Sequence, residues 1–239
     1  MQRFFVTFPL HIDMSITDTD MIHQLTRVLR IQVGENIVLF SWDGSEMEYS
    51  VSWIDKKSIQ LRWMSQKYPN TEPKKKIELY QAMPNKYEKI EYILQKGVEI
   101  GITRFVFFRS DRSQKLLITP TKIERFESIA REALEQCGGL VMPEIVWNEK
   151  IPDQYYQSTL WINWELIRHI VLDTTGNTVR LRDMESYSHM GLWVWPEGGW
   201  PESERSKMMD NGFIFARFGE RVLRTETAGI VIGFGFINV

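Results

Sequence analysis

A single cysteine, Cys137, among 239 residues leaves no partner for an intramolecular disulfide and fits a reducing compartment, so a cytosolic protein is expected. Long apolar runs are missing as well. The longest, near Ala228 to Val239, falls short of the ~20 residues that span a bilayer, and no basic leader with an apolar core opens the chain, so no membrane partner is expected. Nor is there a surplus of positive charge. With 29 Lys and Arg against 31 Asp and Glu the formal net charge is −2, and any nucleic-acid binding must rest on local patches of cation. No Cys or second His lies at ligand spacing from His169, which is therefore expected to be packed rather than catalytic, and no metal is expected. A phosphate-binding Gly-x-x-x-x-Gly-Lys-Ser/Thr loop and an acyl-transfer triad signature are both absent.

What is present is an ordinary globular composition, 43% hydrophobic and 25% charged, enriched in tryptophan and long enough for two domains with separate cores. Residues 1–70 are expected to form the first, a small β-barrel with one helix. Arg3 to Val6 suggests a strand, and Thr19-Asp20 starts a helical run through Met21, Ile22, Leu25, Val28 and Leu29. Strands follow at 36–40, 46–53 and 58–64, parted by turns at Asp43-Gly44 and Asp55-Lys56-Lys57. Tyr68 to Pro73 is the linker, and 74–239 the second domain. There, strand 77–83, helix 86–100 stopped by Gly101, strand 104–108 and helix 121–136 alternate as in a largely parallel α/β sheet. Residues 144–190 are the least legible, with strands expected at Leu160 to Trp164 and His169 to Leu172.

Two apolar runs near the C-terminus, Leu192 to Trp195 and Phe213 to Ala216, each open into a turn rich in glycine and charge. The first turn is Pro196-Glu197-Gly198-Gly199-Trp200; the second is Phe218-Gly219-Glu220-Arg221-Val222-Leu223-Arg224-Thr225-Glu226-Thr227-Ala228. In open α/β sheets ligands sit beyond the carboxyl ends of strands, and glycine lets main-chain groups approach a ligand closely. The first turn alone also suits a plain helix start, with Pro201 and the acidic Glu202 and Glu204 in the first turn.

Pro-Glu-Gly-Gly followed about twenty residues later by Gly-x-Arg-Val-Leu-Arg-Thr-Glu-Thr-Ala resembles the RsmE-type ribosomal RNA uridine-N3 methyltransferases of the SPOUT superfamily. The likeness extends to Arg3-Phe4-Phe5, to His23 with Val28, Leu29, Arg30 and Gly34, to Lys89, Ile93, Lys96, Glu99, Ile100 and Gly101, and to Ser110, Arg112 and Ser113. It implies a trefoil-knotted α/β domain with a mostly parallel sheet, preceded by a PUA-like RNA-binding β-barrel. It further implies a homodimer, S-adenosylmethionine as cofactor, and ribosomal RNA of the small subunit as partner.

Carried over position by position, the cofactor would be held by Leu172, by Trp195, Pro196, Glu197, Gly198 and Gly199, and by Phe218, Gly219, Val222, Leu223, Arg224 and Thr227. Arg224 would stabilise developing charge, and Glu226 would accept a proton or orient that arginine. RNA would meet Arg3, Arg27 and Arg30 of the barrel, with Arg62 a further candidate, and Arg109, Arg112 and Lys115 of the second domain.

Departures from the family pattern are specific. Trp195 stands where family members have glycine, Gly139 where they have arginine, and Gly229, Gly233 and Gly235 where they have an alanine-rich helix. A glycine costs up to ~1 kcal/mol inside a helix. The indole of Trp195 either enters the cofactor crevice or joins the core on the face of Trp193, and an open crevice is the expectation, since the second motif survives nearly whole. The alternatives are an RNA-binding or assembly protein of the same fold without the cofactor, and an enzyme acting on a different RNA nucleotide.

Overall fold

The computed structural model describes every residue except Met1, Trp42, Asp43, Gln114, 157–160, Asn163, Trp164 and Val239. By its contacts the chain divides into a unit of residues 1–72 with Leu134–Met142, and a unit of 73–133 with 143–239.

In the first unit, β1 (Gln2–Phe5), β2 (Asp13–Ile16), β3 (Asn36–Phe40), β4 (Glu46–Ile54) and β5 (Ile59–Lys67) form one sheet in the order β1-β3-β4-β5-β2. No ladder joins β1 to β2 among the described residues. All five strands nevertheless feed one core, because alternate residues such as Tyr49 and Val51 of β4 turn inward beside Phe4, Ile16, Ile37 and Ile59. The expected single helix is α1 (Thr19–His23), capped by the Asp18 carboxylate on the Met21 N–H, and it continues as a π-helical turn, Gln24–Val28. That turn ends with Arg30 at φ 55°, the left-handed position usually given to glycine, and the Ile31 N–H closes back on the Leu25 carbonyl at 3.0 Å. The Asp55 turn is held by its own carboxylate, which accepts from Lys57 and Ser58 N–H at 2.6 and 2.7 Å. Of the Asp43-Gly44 turn, Asp43 lies outside the described residues.

The second unit alternates strand and helix from β6 (Lys76–Ala82) through α2 (Tyr87–Glu99), β7 (Arg104–Phe108), α3 (Pro120–Cys137) and β8 (Glu144–Asn148). Two short strands follow, β9 (Trp161–Ile162) and β10 (Glu165–Leu166), where a single strand at 160–164 was expected; Leu160, Asn163 and Trp164 of that expectation lie outside the described residues. Then come β11 (Arg168–Thr178), β12 (His189–Val194), α4 (Glu202–Asp210), β13 (Ile214–Arg217) and α5 (Thr225–Ile237). The six-stranded sheet is wholly parallel, in the order β13-β11-β12-β6-β7-β8. Its central strands are buried on both faces, as helices on both sides require.

Two sequence expectations change in this unit. The strand expected at 169–172 runs to Thr178, with a bulge between Leu172 and Asn177 that both pair with Ala216 of β13. The glycine-rich C-terminal run, where the sequence counts a helix cost for each glycine, is helical, and Gly229 in it lies where a Cβ would come within 2.8 Å of Leu79 and 3.2 Å of Val194. Close packing on the sheet offsets the helix cost of that glycine. None of the described helices is long and apolar enough to cross a membrane.

The amino half of this sheet buries a polar cluster. Glu78 accepts from the Tyr80 hydroxyl at 2.7 Å and from Arg104 at 3.2 Å, with His189 Nε2 3.3 Å away. Beside it Trp193 Nε1 donates to His169 Nδ1 at 2.9 Å, and Gly191 leaves the room, since a Cβ there would strike the imidazole at 2.4 Å. Burial pushes the His169 imidazole down to about 4. In the unfolded chain that ring takes up its proton around pH 6.5, so acidification across this window favours unfolding. Stability is expected to fall by about 2 kcal/mol between pH 7 and pH 5 from this group alone. Urea midpoints at the two pH values measure it. His169→Gln, which keeps an acceptor for Trp193, should flatten the difference, and an equally steep loss in that variant would assign the effect elsewhere.

Candidate active site

Loops at the carboxyl ends of β11, β12 and β13 come together. The bulge in β11 carries Asp173 and Thr174 outward past Leu172, β12 runs into Trp195-Pro196-Glu197-Gly198-Gly199, and β13 runs into 218–223. Between them lies a cleft walled by Leu172, Trp195, Phe218, Gly219, Val222 and Leu223, with Ala228 and Ile232 of α5 as its floor. A second cavity adjoins it, sharing Leu172, Asp173, Thr174, Trp195 and Val222, and extending along Glu197, Gly198, Gly199 and Arg205.

Each loop is fixed by a different device. Gly199, at φ 73°, turns the first loop back so that its N–H meets the Pro196 carbonyl at 2.8 Å. Arg112 then donates to the Gly198 carbonyl at 3.1 Å, and a Cβ on Gly198 would press on the Arg112 side chain at 3.3 Å. Thr225, at the first turn of α5, accepts from Gln81 Nε2 at 2.9 Å and donates to the Trp195 carbonyl at 2.8 Å. Asp173 accepts from the N–H and hydroxyl of Thr175 at 2.7 and 2.8 Å and pairs with Arg205, whose guanidinium also lies over the Phe215 ring. Helix α4 is tied to the loop after β7 through Glu204, which accepts from Ser110 and the Asp111 N–H; burial raises the Glu204 pKa despite those bonds.

The loop 218–223 is the exception. Among the described residues its main chain makes no hydrogen bond within the protein, although Gly219, at φ 99°, turns it across the mouth of the cleft. Main-chain groups without an internal partner, over an apolar floor of Leu172, Ala228 and Ile232, suit a ligand with a flat apolar part and a polar rim.

The expected cofactor residues divide accordingly. Leu172, Trp195, Phe218, Gly219, Val222 and Leu223 line the cleft; Glu197, Gly198 and Gly199 line the second cavity; Pro196 is buried in the turn. Thr227 lines neither and donates its N–H to the Arg224 carbonyl at 3.0 Å. Arg224 is the N-cap residue of α5, with an exposed side chain and no ion pair among the described residues. Glu226 lies 3.5 Å from Lys89, and its Oε2 has no hydrogen-bond partner. Trp195 resolves the expectation of one direction or the other in an intermediate way. It packs against the core cluster that contains Trp193, as strand parity requires, and its ring still borders both cavities.

The expected RNA cations differ in how far they are committed. Arg3 pairs with Glu46 at 2.8 Å and donates to the Glu135 and Gly139 carbonyls. Arg109 pairs with Glu149 and donates to the Leu116 carbonyl, and Arg112 holds the Gly198 turn. Arg27, Arg30 and Lys115 are exposed. Sequence reasoning missed Thr174, Arg205 and Gln81, and took Lys89 only as part of the family likeness without a role at the site. For Thr174 the available signal was Asp-Thr-Thr-Gly directly after the apolar run ending in Leu172.

An RNA methyltransferase domain family matches residues 71–233 of this chain. The chain belongs to that family. It is 30% identical over 214 residues to the ribosomal RNA small subunit methyltransferase E of Buchnera aphidicola subsp. Acyrthosiphon pisum, covering 87% of this chain and 81% of that one. Its likeness to the Bacillus subtilis protein of the same name is 26% over 244 residues, 95% of this chain and 93% of that one. Among solved structures it is similar to a protein from Legionella pneumophila solved in complex with the bound cofactor SAM, with a TM-score of 0.85 and 26% identity over 99% of this chain and 96% of that one. The cleft therefore belongs to a member of the RNA methyltransferase domain family.

Thr225→Val removes the donor to the Trp195 carbonyl and the acceptor for the buried Gln81 amide. The loss should be about 1–3 kcal/mol in urea unfolding, because buried polar groups are left without partners, and Thr225→Ser should recover most of it. A valine variant as stable as the native protein would show that the bridge carries no energy.

Proposed function

We propose that this protein transfers the methyl group of S-adenosylmethionine to N3 of a uridine in small-subunit ribosomal RNA. The observation that carries this is the cleft walled by the loop 218–223, whose main chain makes no internal hydrogen bond among the described residues, in a chain of this family. The apolar floor of Leu172, Ala228 and Ile232, with polar main chain around it, fits an adenosine. When bound there, the cofactor supplies a methyl group on a sulfonium.

What the chain's own residues contribute is control of charge. Uridine N3 carries a weakly acidic proton, and its loss spreads negative charge onto the neighbouring carbonyl oxygens. The Arg224 guanidinium, uncommitted at the start of α5, is the group proposed to stabilise that charge. The N-terminal end of the helix adds partial positive charge of its own. Glu226, with one oxygen lacking a hydrogen-bond partner, is proposed to accept the proton or to orient Arg224.

For RNA, Arg27, Arg30 and Lys115 have free heads to meet phosphates, while Arg3, Arg109 and Arg112 serve their positions first and RNA second. The first unit is proposed to be a PUA-like RNA-binding barrel, with the domains at 1–70 and 74–239. The second is proposed to hold a trefoil knot, a reading supported by the order in which β12 enters between β11 and β6 before the chain returns through α5. A homodimer is supported by the apolar surface of α5, on which Val231 and Phe234 remain 49% and 56% exposed.

Calorimetry should show S-adenosylmethionine binding by the native protein, with Trp195→Gly binding more tightly because the ring borders both cavities. Absence of binding in both proteins would favour an RNA-binding or assembly role. Light scattering at micromolar concentration should give a mass near twice 28.3 kDa, and a species of 28.3 kDa alone would remove the dimer. Affinity for ribosomal RNA should drop steeply between roughly 50 and 200 mM salt. A flat salt response would rule out the phosphate contacts.

A further inference from the structure

Lys89, on the first turn of α2, touches both motif loops at once. Its Nζ lies 2.8 Å from Glu197 Oε1, in the loop after β12, and 3.5 Å from Glu226 Oε2, in the first turn of α5. Glu197 Oε1 also accepts from the Asn85 N–H at 3.1 Å, so the chain just ahead of α2 holds the same carboxylate. We propose that Lys89 is a positioning residue for the reaction: a single ammonium that sets the spacing between the two loops walling the cleft, without itself lining it. The proposal rests on the methyl-transfer reading above.

The charges dictate the role. Glu197 and Glu226 approach the same cation from two loops, and in its absence two carboxylates would repel each other across that gap. Side-chain exposures of 23% for Lys89, 29% for Glu197 and 13% for Glu226 keep the cluster partly out of water, where salt screens it less than a surface pair. Trp195 precedes Glu197 by two positions and Leu223 precedes Glu226 by three, and both residues wall the cleft. Movement at either carboxylate therefore passes to a cleft wall within a few bonds. The Thr225 hydroxyl bonded to the Trp195 carbonyl joins the same two loops one residue away from Glu226, which makes the ionic contact the second of a pair of ties. A lysine whose only task was to steady α2 would have no need of a carboxylate on each loop.

The test compares native protein, Lys89→Met, which keeps most of the stem and loses the charge, and Lys89→Arg, which restores it. Lys89→Met should bind S-adenosylmethionine about tenfold or more weakly, since small misplacements of a site are amplified in this way, with thermal midpoint little changed. Lys89→Arg should recover most of that affinity. Hydrogen exchange should quicken in Lys89→Met at 195–199 and at 219–227 together. Native-like affinity in Lys89→Met, or exchange unchanged at either loop, overturns the proposal. If the native protein itself binds no S-adenosylmethionine, the methyl-transfer reading fails instead, and the exchange measurement still decides whether Lys89 ties the loops. Glu197→Gln, which removes the nearer carboxylate, gives the same comparison should Lys89→Met fail to fold.

Discussion

The Thr225 hydroxyl is the contact on which the site's geometry depends. It accepts from a fully buried amide, Gln81 on the central strand β6, and donates to the Trp195 carbonyl at the end of β12. Gln81 also donates to the Ala82 carbonyl, so its amide is anchored to the strand itself. The start of α5 is thereby referenced to the middle of the sheet and not to the surface loops beside it. From that point α5 lies on β6 and β12 with Gly229 at the closest approach, and the side chains that floor the cleft, Ala228 and Ile232, take their places along the same helix. A hydroxyl suits this place because it donates and accepts through one atom in a space too close for an amide.

Much of this was legible in the sequence, for reasons that differ by element. The strand and helix alternation of 77–136 was evident because apolar runs and helical periodicity are local signals. The second motif turn was evident because glycine, charged residues and Thr-x-Thr crowd into one short tract; the first became legible only beside it, since alone it also suits a plain helix start. The bulge of β11 was not, since it arises from pairing with β13 more than forty residues later, and nothing near Thr174 to Asn177 announces a partner. The glycine cost counted for α5 was incomplete for a similar reason: glycine is penalised locally, while its benefit comes from Leu79 and Val194, far away in sequence. Gly139 belongs with it. A Cβ there would meet Leu134 at 2.6 Å, and the Leu140 and Val141 N–H groups that follow are held by Glu72, so the position is occupied by a packing requirement.

Charge shows the limit of composition as a guide. A net charge of −2 conceals three kinds of cation: those inside ion pairs such as Arg3 and Arg104, those that hold main-chain turns such as Arg112, and those left to solvent such as Arg27 and Arg30. Only the last kind can change partners cheaply. A cation already hydrogen-bonded to a carbonyl in a turn must give up that bond to reach a phosphate, which makes its contribution to RNA affinity smaller than its charge suggests. Motif matching assigns all three kinds alike, because it registers residue type and not commitment.

Trp195 illustrates how a fold absorbs a departure at a site. Parity along β12 puts residues 193 and 195 on one face, and that face is already aromatic: Tyr80 stacks on Trp193 with centroids 4.3 Å apart, and Phe108, Trp200 and Phe213 lie in the same cluster. An indole arriving at 195 therefore finds apolar surface to cover, where a polar core would have rejected it. Its main chain is meanwhile held through the carbonyl by Thr225, a bond indifferent to the side chain. Backbone position and side-chain identity are thus set by separate interactions at this residue. Trp195 belongs to the wall common to the two cavities, which is where selectivity between ligands of different bulk would be decided.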